Sequence, residues 1–123
     1  MGGRTDERKI YIVDDDESVC RALKTFLMTF KFGVKTFNSA KSFFDAVPNS
    51  KPGCLVLDIN MPGLDGWAMQ KQIVDSGSKR PVIFISAEKQ DNASERALKT
   101  GAVGFLQKPF NGKTLVDLIN SCQ

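Results

Sequence analysis

The stretch VLDINMPGLDGW, Val56–Trp67, ends an apolar run with an acidic side chain. The run itself, Cys54–Leu57, predicts a short buried strand, and Asp58 follows it directly. An aspartate after a strand most often belongs to a turn or caps the next helix. Residues elsewhere in the chain therefore have to decide whether Asp58 has a chemical role.

The rest of the chain repeats the same order, a short apolar strand followed by a helical pattern. Strands are predicted at 9–13, 34–37, 54–57, 81–85 and 103–106. Helices are predicted up to Phe30, from Ser39 to Pro48, over 64–74 and 91–100, and around 115–119. Gly33 is expected to stop the first helix, and Asp16, Ser39 and Asp65 are expected to cap helices. This alternation predicts an α/β fold with a mainly parallel sheet between two layers of helices.

Composition narrows the class of protein. A chain of 123 residues with a formal charge of +3 fits one domain, and no apolar stretch is long enough to span a membrane. The polar start MGGRTDERK has no leader pattern, and the basic residues are too scattered for a nucleic-acid site. With no histidine, His-ligated zinc and Ser-His chemistry are excluded. The three cysteines are odd in number and far apart in the chain, which favours a reduced, cytoplasmic protein. Cys20 and Cys54 are expected to be small buried groups.

Chemically active side chains follow four of the five predicted strands. They are Asp14, Asp15 and Asp16 after the first, Asp58 after the third, Ser86 after the fourth, and Gln107 and Lys108 after the fifth. In open parallel sheets, ligand sites lie outside the carboxyl ends of the strands, so we expect these residues at one edge. Neighbouring carboxylates repel by about 4 kcal/mol at ~4 Å and an effective dielectric near 20. A hard divalent cation, best matched by magnesium, is therefore expected among them.

This set of groups suits phosphoryl transfer to a carboxylate. It contains acids that can hold a metal ion, a hydroxyl and a lysine, and it contains no histidine. Asp58 is predicted to be the nucleophile, since it ends a core strand and is held rigidly there. The metal and Lys108 would neutralise the charge of the transferring group, and Ser86 could donate a hydrogen bond to it.

This constellation resembles the receiver domain of two-component response regulators. The matching residues are VDDDE at 13–17, LDINMPGLDG at 57–66, ISA at 85–87 and KPF at 108–110, within a match from about Lys9 to Ile119. The segments GCLVLDINMPGLDGW and TGAVGFLQKPF are most similar to the FixJ subclass. The resemblance implies a flavodoxin-like (βα)5 fold with strand order 2-1-3-4-5. It also implies a tail at 1–8 and a receiver domain at 9–123.

The resemblance further implies the roles of the site residues. Asp58 is the phosphoacceptor, and Lys108, whose bond to Pro109 is usually cis in this family, is the accompanying lysine. Ser86 and Phe105 are the switch residues. The ligands of Mg²⁺ would be Asp15 directly, Asp14 through water, Asp58, and the backbone carbonyl of Asn60.

Signal lifetime and partners also follow from the resemblance. Asn60 and Glu88 lie two residues after the acceptor and the hydroxyl, where receivers place the groups that tune dephosphorylation, and we expect a short-lived phosphoprotein.

The partner would be a sensor histidine kinase or phosphotransfer protein. Phosphorylation is expected to cause homodimerisation through the fourth helix, fifth strand and fifth helix, with Arg96 and Lys99 as candidate contacts. The domain would be a signalling module that catalyses its own phosphorylation and dephosphorylation, contacting neither nucleic acid nor membrane.

Two other functions fit the fold class. A phosphatase of the haloacid dehalogenase type also uses an aspartyl nucleophile, but that class carries a second acid two residues later, where this chain has Asn60. A flavodoxin-like binding module would place a flavin at the same edge, where the acids would repel its phosphate.

Overall fold

A computed structural model of the chain describes residues 8–87 and 92–122. Strands and helices alternate through them in the predicted order. The strands are β1 Lys9–Val13, β2 Gly33–Phe37, β3 Cys54–Asp58, β4 Val82–Ser86 and β5 Gly104–Gln107. The helices are α1 Glu17–Met28, α2 Ala40–Ala46, α3 Gly66–Asp75, α4 Ala93–Lys99 and α5 Gly112–Asn120.

The five strands form one parallel sheet in the order β2-β1-β3-β4-β5, which confirms the predicted fold. The register pairs Val13 with Leu57 and Asp58 with Ile85. The carboxyl ends of β1, β3 and β4 therefore lie side by side. The loops that follow these three strands meet at one edge of the sheet.

Two apolar clusters cover the two faces of the sheet. Alternate residues of β1 divide between them, with Tyr11 and Val13 in one cluster and Ile10 and Ile12 in the other. All residues of β3 and β4 are buried because these central strands have helices on both faces. Cys20 and Cys54 are each 7% exposed, which confirms the prediction that they are buried. In the described part of the chain, no helix is both long and apolar enough to cross a membrane.

The three predicted helix caps are confirmed. The side chain of Asp16 accepts hydrogen bonds from the backbone N–H groups of Ser18 and Val19 at the start of α1. Ser39 and Asp65 each accept from the N–H group three residues further along. Each cap satisfies a backbone donor that has no partner within its helix.

The predicted end of the first helix was wrong. α1 ends at Met28, and Phe30 is 44% exposed, with its ring packed on Phe26 at 5.1 Å between centroids. The left-handed residue after the helix is Lys31, with φ 68°, and Gly33 already belongs to β2. The apolar periodicity extended the helix too far because it included Phe30, an exposed side chain that packs on the partly buried Phe26.

Three strands end one residue later than predicted, at Asp58, Ser86 and Gln107, and β4 and β5 also begin one residue later than predicted. Their backbones still pair within the sheet, Asp58 with Ile85 and Ser86 with Gln107. Hydrophobic patterning ended each strand at its last apolar side chain, whereas strand pairing depends on the backbone. Asp58 is therefore the last residue of β3 and not a helix cap, and its side chain also accepts a hydrogen bond from the N–H group of Asn60 in the following turn.

Candidate functional site

Three carboxylates meet at the carboxyl edge of the sheet. Asp14 follows β1 and is fully buried, Asp58 ends β3 and is 3% exposed, and Asp15 is exposed. One oxygen of each lies within 4.8 Å of those of the other two. The adjacency of β1 and β3 places these acids together, as the strand order implied by the resemblance requires.

Lys108 directly follows β5 and contacts the carboxylates with its ammonium group. Its Nζ lies 2.7 Å from Asp14 Oδ2 and 3.8 Å from Asp58 Oδ1, and its side chain is 16% exposed. Its backbone N–H donates to the carbonyl of Ser86 at 2.7 Å, and its bond to Pro109 is cis. Lys108 is thus fixed to the end of β4 while its ammonium group pairs mainly with Asp14.

The electrostatics of Asp58 show that one lysine does not neutralise the pair of buried acids. Burial, and then the charge of Asp14, raise the pKa of Asp58 to about 7. The ammonium of Lys108 and the N–H group of Asn60 oppose this rise. Three convergent carboxylates of which one is open to solvent suit Mg²⁺, which takes oxygen ligands and keeps several waters. The residues present therefore fit a magnesium ion.

Ser86 and Asn60 form a second contact beside the acids. The Ser86 hydroxyl is fully buried and donates to Asn60 Oδ1 at 3.0 Å. The backbone N–H of Asn60 donates to Asp58 Oδ1 at 3.3 Å. A short path of hydrogen bonds therefore connects the carboxylate of Asp58, through Asn60, to the hydroxyl of Ser86.

The remaining predicted site residue within the described part of the chain is Phe105 of β5. Phe105 is partly buried, packs against the cluster that contains Val13, and pairs with Phe84 of β4. It is therefore next to the strand that carries Ser86. Glu88 lies outside the described residues.

Sequence reasoning missed two residues at the start of α3. A Cβ at Gly66 would lie 2.6 Å from the carbonyl oxygen of Asp58, so only glycine allows α3 to begin this close to β3. The Trp67 indole lies 4.6 Å from the ring of Phe84, and the Arg96 guanidinium stacks over it at 4.2 Å. The glycine directly after the predicted cap Asp65 could have indicated that α3 begins close to another element. The contact between Trp67 and Arg96 could not be predicted, because it depends on how α4 packs.

Comparison with known proteins identifies the family. A family model described as the response regulator receiver domain matches residues 10–120. This chain belongs to the response regulator receiver family. Receivers are signalling modules of two-component systems that interact with histidine kinases, and they generally bind Mg²⁺ in an acidic pocket. In this chain Asp14, Asp15 and Asp58 form an acidic cluster at the corresponding edge of the sheet.

Individual relatives agree with this membership. The transcriptional regulatory protein TdiR of Thauera aromatica is 38% identical over 112 residues, covering 91% of this chain and 49% of TdiR. FixJ of Bradyrhizobium diazoefficiens is 37% identical over 117 residues, covering 95% of this chain and 57% of FixJ. The receiver therefore spans about half the length of these curated relatives.

Solved structures show the same fold. The structure of FixJ-N aligns with a TM-score of 0.85 at 31% identity, covering 94% of this chain and 93% of that chain. The chemotaxis protein CheY4 of Vibrio cholerae aligns with a TM-score of 0.84, covering 96% of this receiver and 100% of its own chain. CheY4 is 22% identical, so its likeness shows the fold alone.

Proposed function

We propose that Asp58 accepts a phosphoryl group from a phosphohistidine of a sensor kinase or phosphotransfer protein, in a reaction that requires Mg²⁺. The observation that carries the proposal is the position of Asp58. Its carboxylate is almost fully buried, an oxygen of it lies within 4.8 Å of both other acids, and Lys108 Nζ is 3.8 Å away. The ligands would be Asp14, Asp15, Asp58 and the backbone carbonyl of Asn60.

The transfer makes one bond and breaks another. A carboxylate oxygen of Asp58 bonds to phosphorus while the bond from phosphorus to the donor imidazole nitrogen breaks, and the electron pair stays on that nitrogen. Magnesium, when bound, would neutralise charge on the phosphoryl oxygens. Lys108 adds a second positive charge beside Asp58, and β3 holds the nucleophile in a fixed position. Positioning and charge stabilisation account for most of the catalysis of such transfers.

The switch begins with the hydrogen bond of Ser86. To donate to a phosphoryl oxygen on Asp58, the Ser86 hydroxyl has to leave Asn60 Oδ1, to which it donates at 3.0 Å. The movement of Ser86 would open space beside β5, into which the ring of Phe105 turns. Phosphorylation would in this way shift the equilibrium between two conformations.

Loss of the phosphoryl group would also be catalysed by this domain. Once Ser86 has moved, the side-chain amide of Asn60 can hydrogen-bond a water in line with the bond from phosphorus to Asp58. Glu88 would assist on the same path, and its part rests on its position in the sequence alone. Neither side chain carries a positive charge that would hold the phosphoryl group, so a short-lived phosphoprotein follows.

The output of the switch would be a homodimer formed through α4, β5 and α5. Leu98 of α4 is an apolar side chain that is 59% exposed, and it is followed by Lys99 in the same helix. Arg96 is a weaker candidate contact, because its guanidinium already stacks on Trp67 of α3. A cytoplasmic location, with no nucleic acid or membrane contacted by this domain itself, completes the proposal.

Intact mass tests the phosphorylation. Incubation with acetyl phosphate and Mg²⁺ should add the mass of one phosphoryl group, because acetyl phosphate is a small phosphoryl donor. Asp58→Asn and excess EDTA should each abolish the gain. The control Asp117→Asn, which changes an exposed acid on α5, should leave it intact.

A gain of mass that survives Asp58→Asn, or that forms equally in EDTA, would rule out the proposal. Followed over time, the same measurement tests the lifetime. Asn60→Met should slow the first-order loss of the phosphoryl mass, and a loss as fast as in the wild type would remove Asn60 from the hydrolytic step.

A further inference from the structure

Two cysteines lie together at the edge of the sheet opposite the acidic site. Cys54 is the first residue of β3, and Cys122 follows the end of α5. A side-chain interaction between the two thiols is the largest influence on the pKa of each, and Cys122 Sγ donates to the carbonyl of Leu118 at 3.0 Å. Both line a cavity of about 390 Å³ to which Arg8 also contributes, and both are free thiols.

The two thiols differ in exposure and in charge. Cys122 is partly exposed, whereas Cys54 is buried. The interaction with Cys54 lowers the pKa of Cys122 to about 7, helped by Ser121 and Arg8 and opposed by burial. The same interaction, together with burial, raises the pKa of Cys54. The more accessible sulfur is thus also the one that more readily becomes a thiolate, the form in which cysteine is nucleophilic.

We propose that Cys122 and Cys54 form an intramolecular disulfide when the protein meets a hydroperoxide. The Cys122 thiolate attacks the peroxide, forming a sulfur–oxygen bond and breaking the oxygen–oxygen bond, and the leaving alkoxide or hydroxide takes up a proton. The resulting sulfenic acid is then attacked by the sulfur of Cys54. The sulfur–sulfur bond forms, the sulfur–oxygen bond breaks, and the hydroxide leaves as water with the Cys54 proton. Two thiols are oxidised by two electrons, and the peroxide is reduced.

The disulfide would connect elements that are far apart in the chain. It would tie the end of α5 to the start of β3, so the last helix could no longer separate from the sheet. Cys54 and Asp58 are at opposite ends of the same strand, about 13 Å apart at 3.3 Å per residue. The site of oxidation is therefore distinct from the proposed site of phosphorylation.

The rate of oxidation should depend on pH. Among the described residues, the titratable and charged groups that line this cavity or act on the two thiols are Cys54 of β3, Arg8 just before β1, Lys9 at its start, and Arg80 before β4, which acts on Cys54. The pKa of the Cys122 thiol lies at about 7, so the pH dependence comes from this thiol itself. Oxidation by hydrogen peroxide should therefore accelerate as the pH rises through about 7.

Intact mass and peptide mapping test the disulfide directly. Treatment of the reduced protein with hydrogen peroxide should remove the mass of two hydrogen atoms. The map should join the peptides of Cys54 and Cys122 and leave Cys20 free, because burial and Asp14 raise the pKa of Cys20 to about 11. The melting temperature should rise by roughly 5–10 °C, since a cross-link that closes a long loop restricts the unfolded chain.

Cysteine variants separate the two roles. Cys20→Ser should still lose two hydrogens, whereas Cys54→Ser should stop at the sulfenic acid, a gain of one oxygen on Cys122. A wild-type protein that only gains oxygen, a map that joins any other pair, or a loss of two hydrogens that persists in Cys122→Ser would overturn the proposal. The wild-type map decides the question even if a variant folds poorly.

Discussion

At the scale of single residues, the site is defined by buried charge that is only partly compensated. Asp14 and Asp58 are both buried, and a single ammonium group, that of Lys108, lies 2.7 Å from the first and 3.8 Å from the second. Such an arrangement is costly without a further cation, because burial penalises each carboxylate and each repels the other. A bound magnesium ion would supply the missing positive charge, which is why the fold can retain this cluster of acids.

The hydrogen bond between Ser86 and Asn60 can be measured by a double-mutant cycle. In urea unfolding of the unphosphorylated protein, Ser86→Ala and Asn60→Ala should show a coupling of about 1 kcal/mol, the net value of one buried hydrogen bond. Ser86→Thr keeps the donor and should keep most of the coupling. With Mg²⁺ and beryllofluoride, a phosphoryl mimic, the coupling should vanish because Ser86 turns to Asp58.

A coupling that is unchanged by beryllofluoride would show that Ser86 does not leave Asn60. The proposed first step of the switch would then be wrong. Phosphorylation of Asp58 itself would remain possible, because the mass measurement tests it separately.

At the scale of the elements, the close contact between β3 and α3 positions the acceptor. Gly66 N–H donates to the carbonyl of Ile59 at 2.9 Å, and a Cβ at Gly66 would meet the backbone of Asp58 and Ile59 at 2.6 and 2.7 Å. Backbone atoms of a central strand cannot easily move aside. The identity of one residue in α3 therefore controls the end of the strand that carries Asp58.

Gly66→Ala should destabilise the domain by about 1–3 kcal/mol, the usual cost of overpacking a filled space. Urea unfolding measures the change. The matched control is Gly104→Ala, where a Cβ meets only the side chain of Leu118, at 3.5 Å, and should change stability by less than about 1 kcal/mol. Equal effects of the two substitutions would show that α3 can shift away from β3 at little cost.

At the scale of the whole molecule, α4 connects the site to the surface. Arg96 of α4 stacks on Trp67, which packs on Phe84 of β4, two residues before Ser86. On the outer side of α4, Leu98 is 59% exposed. A change at the end of β4 therefore has a packed route to a helix that presents an apolar side chain to solvent.

Beryllofluoride with Mg²⁺ should convert the monomer into a dimer, and light scattering at high protein concentration measures this. Leu98→Ser should prevent dimerisation because it removes the exposed apolar group from the proposed interface. The matched control is Val74→Ser on α3, which changes a side chain of similar exposure, 51%, on another helix. A constant mass with and without beryllofluoride would contradict dimerisation, and an equal loss in both variants would place the interface elsewhere.

Much of the architecture was predictable because it depends on local information. Each of these features can be recognised from residues that are neighbours in the chain: the apolar runs of β3 and β4, the caps at Asp16 and Asp65, and the polar residues that follow the strands. The topology of a parallel α/β sheet then requires the ends of its strands to share an edge. The position of Asp58 beside Asp14 needed one fact more, the adjacency of β1 and β3, which the resemblance to receivers implied and the sheet order confirms.

The sequence by itself determined the alternation of elements and the chemical types at the edge of the sheet. Only the tertiary structure decided which of them touch: Lys108 pairs mainly with Asp14, Ser86 donates to Asn60, and Cys54 meets Cys122. The physical reason is that propensities and caps act over one or two turns of chain, whereas these contacts join residues distant in sequence. Their partners depend on strand register and helix packing, to which the whole core contributes.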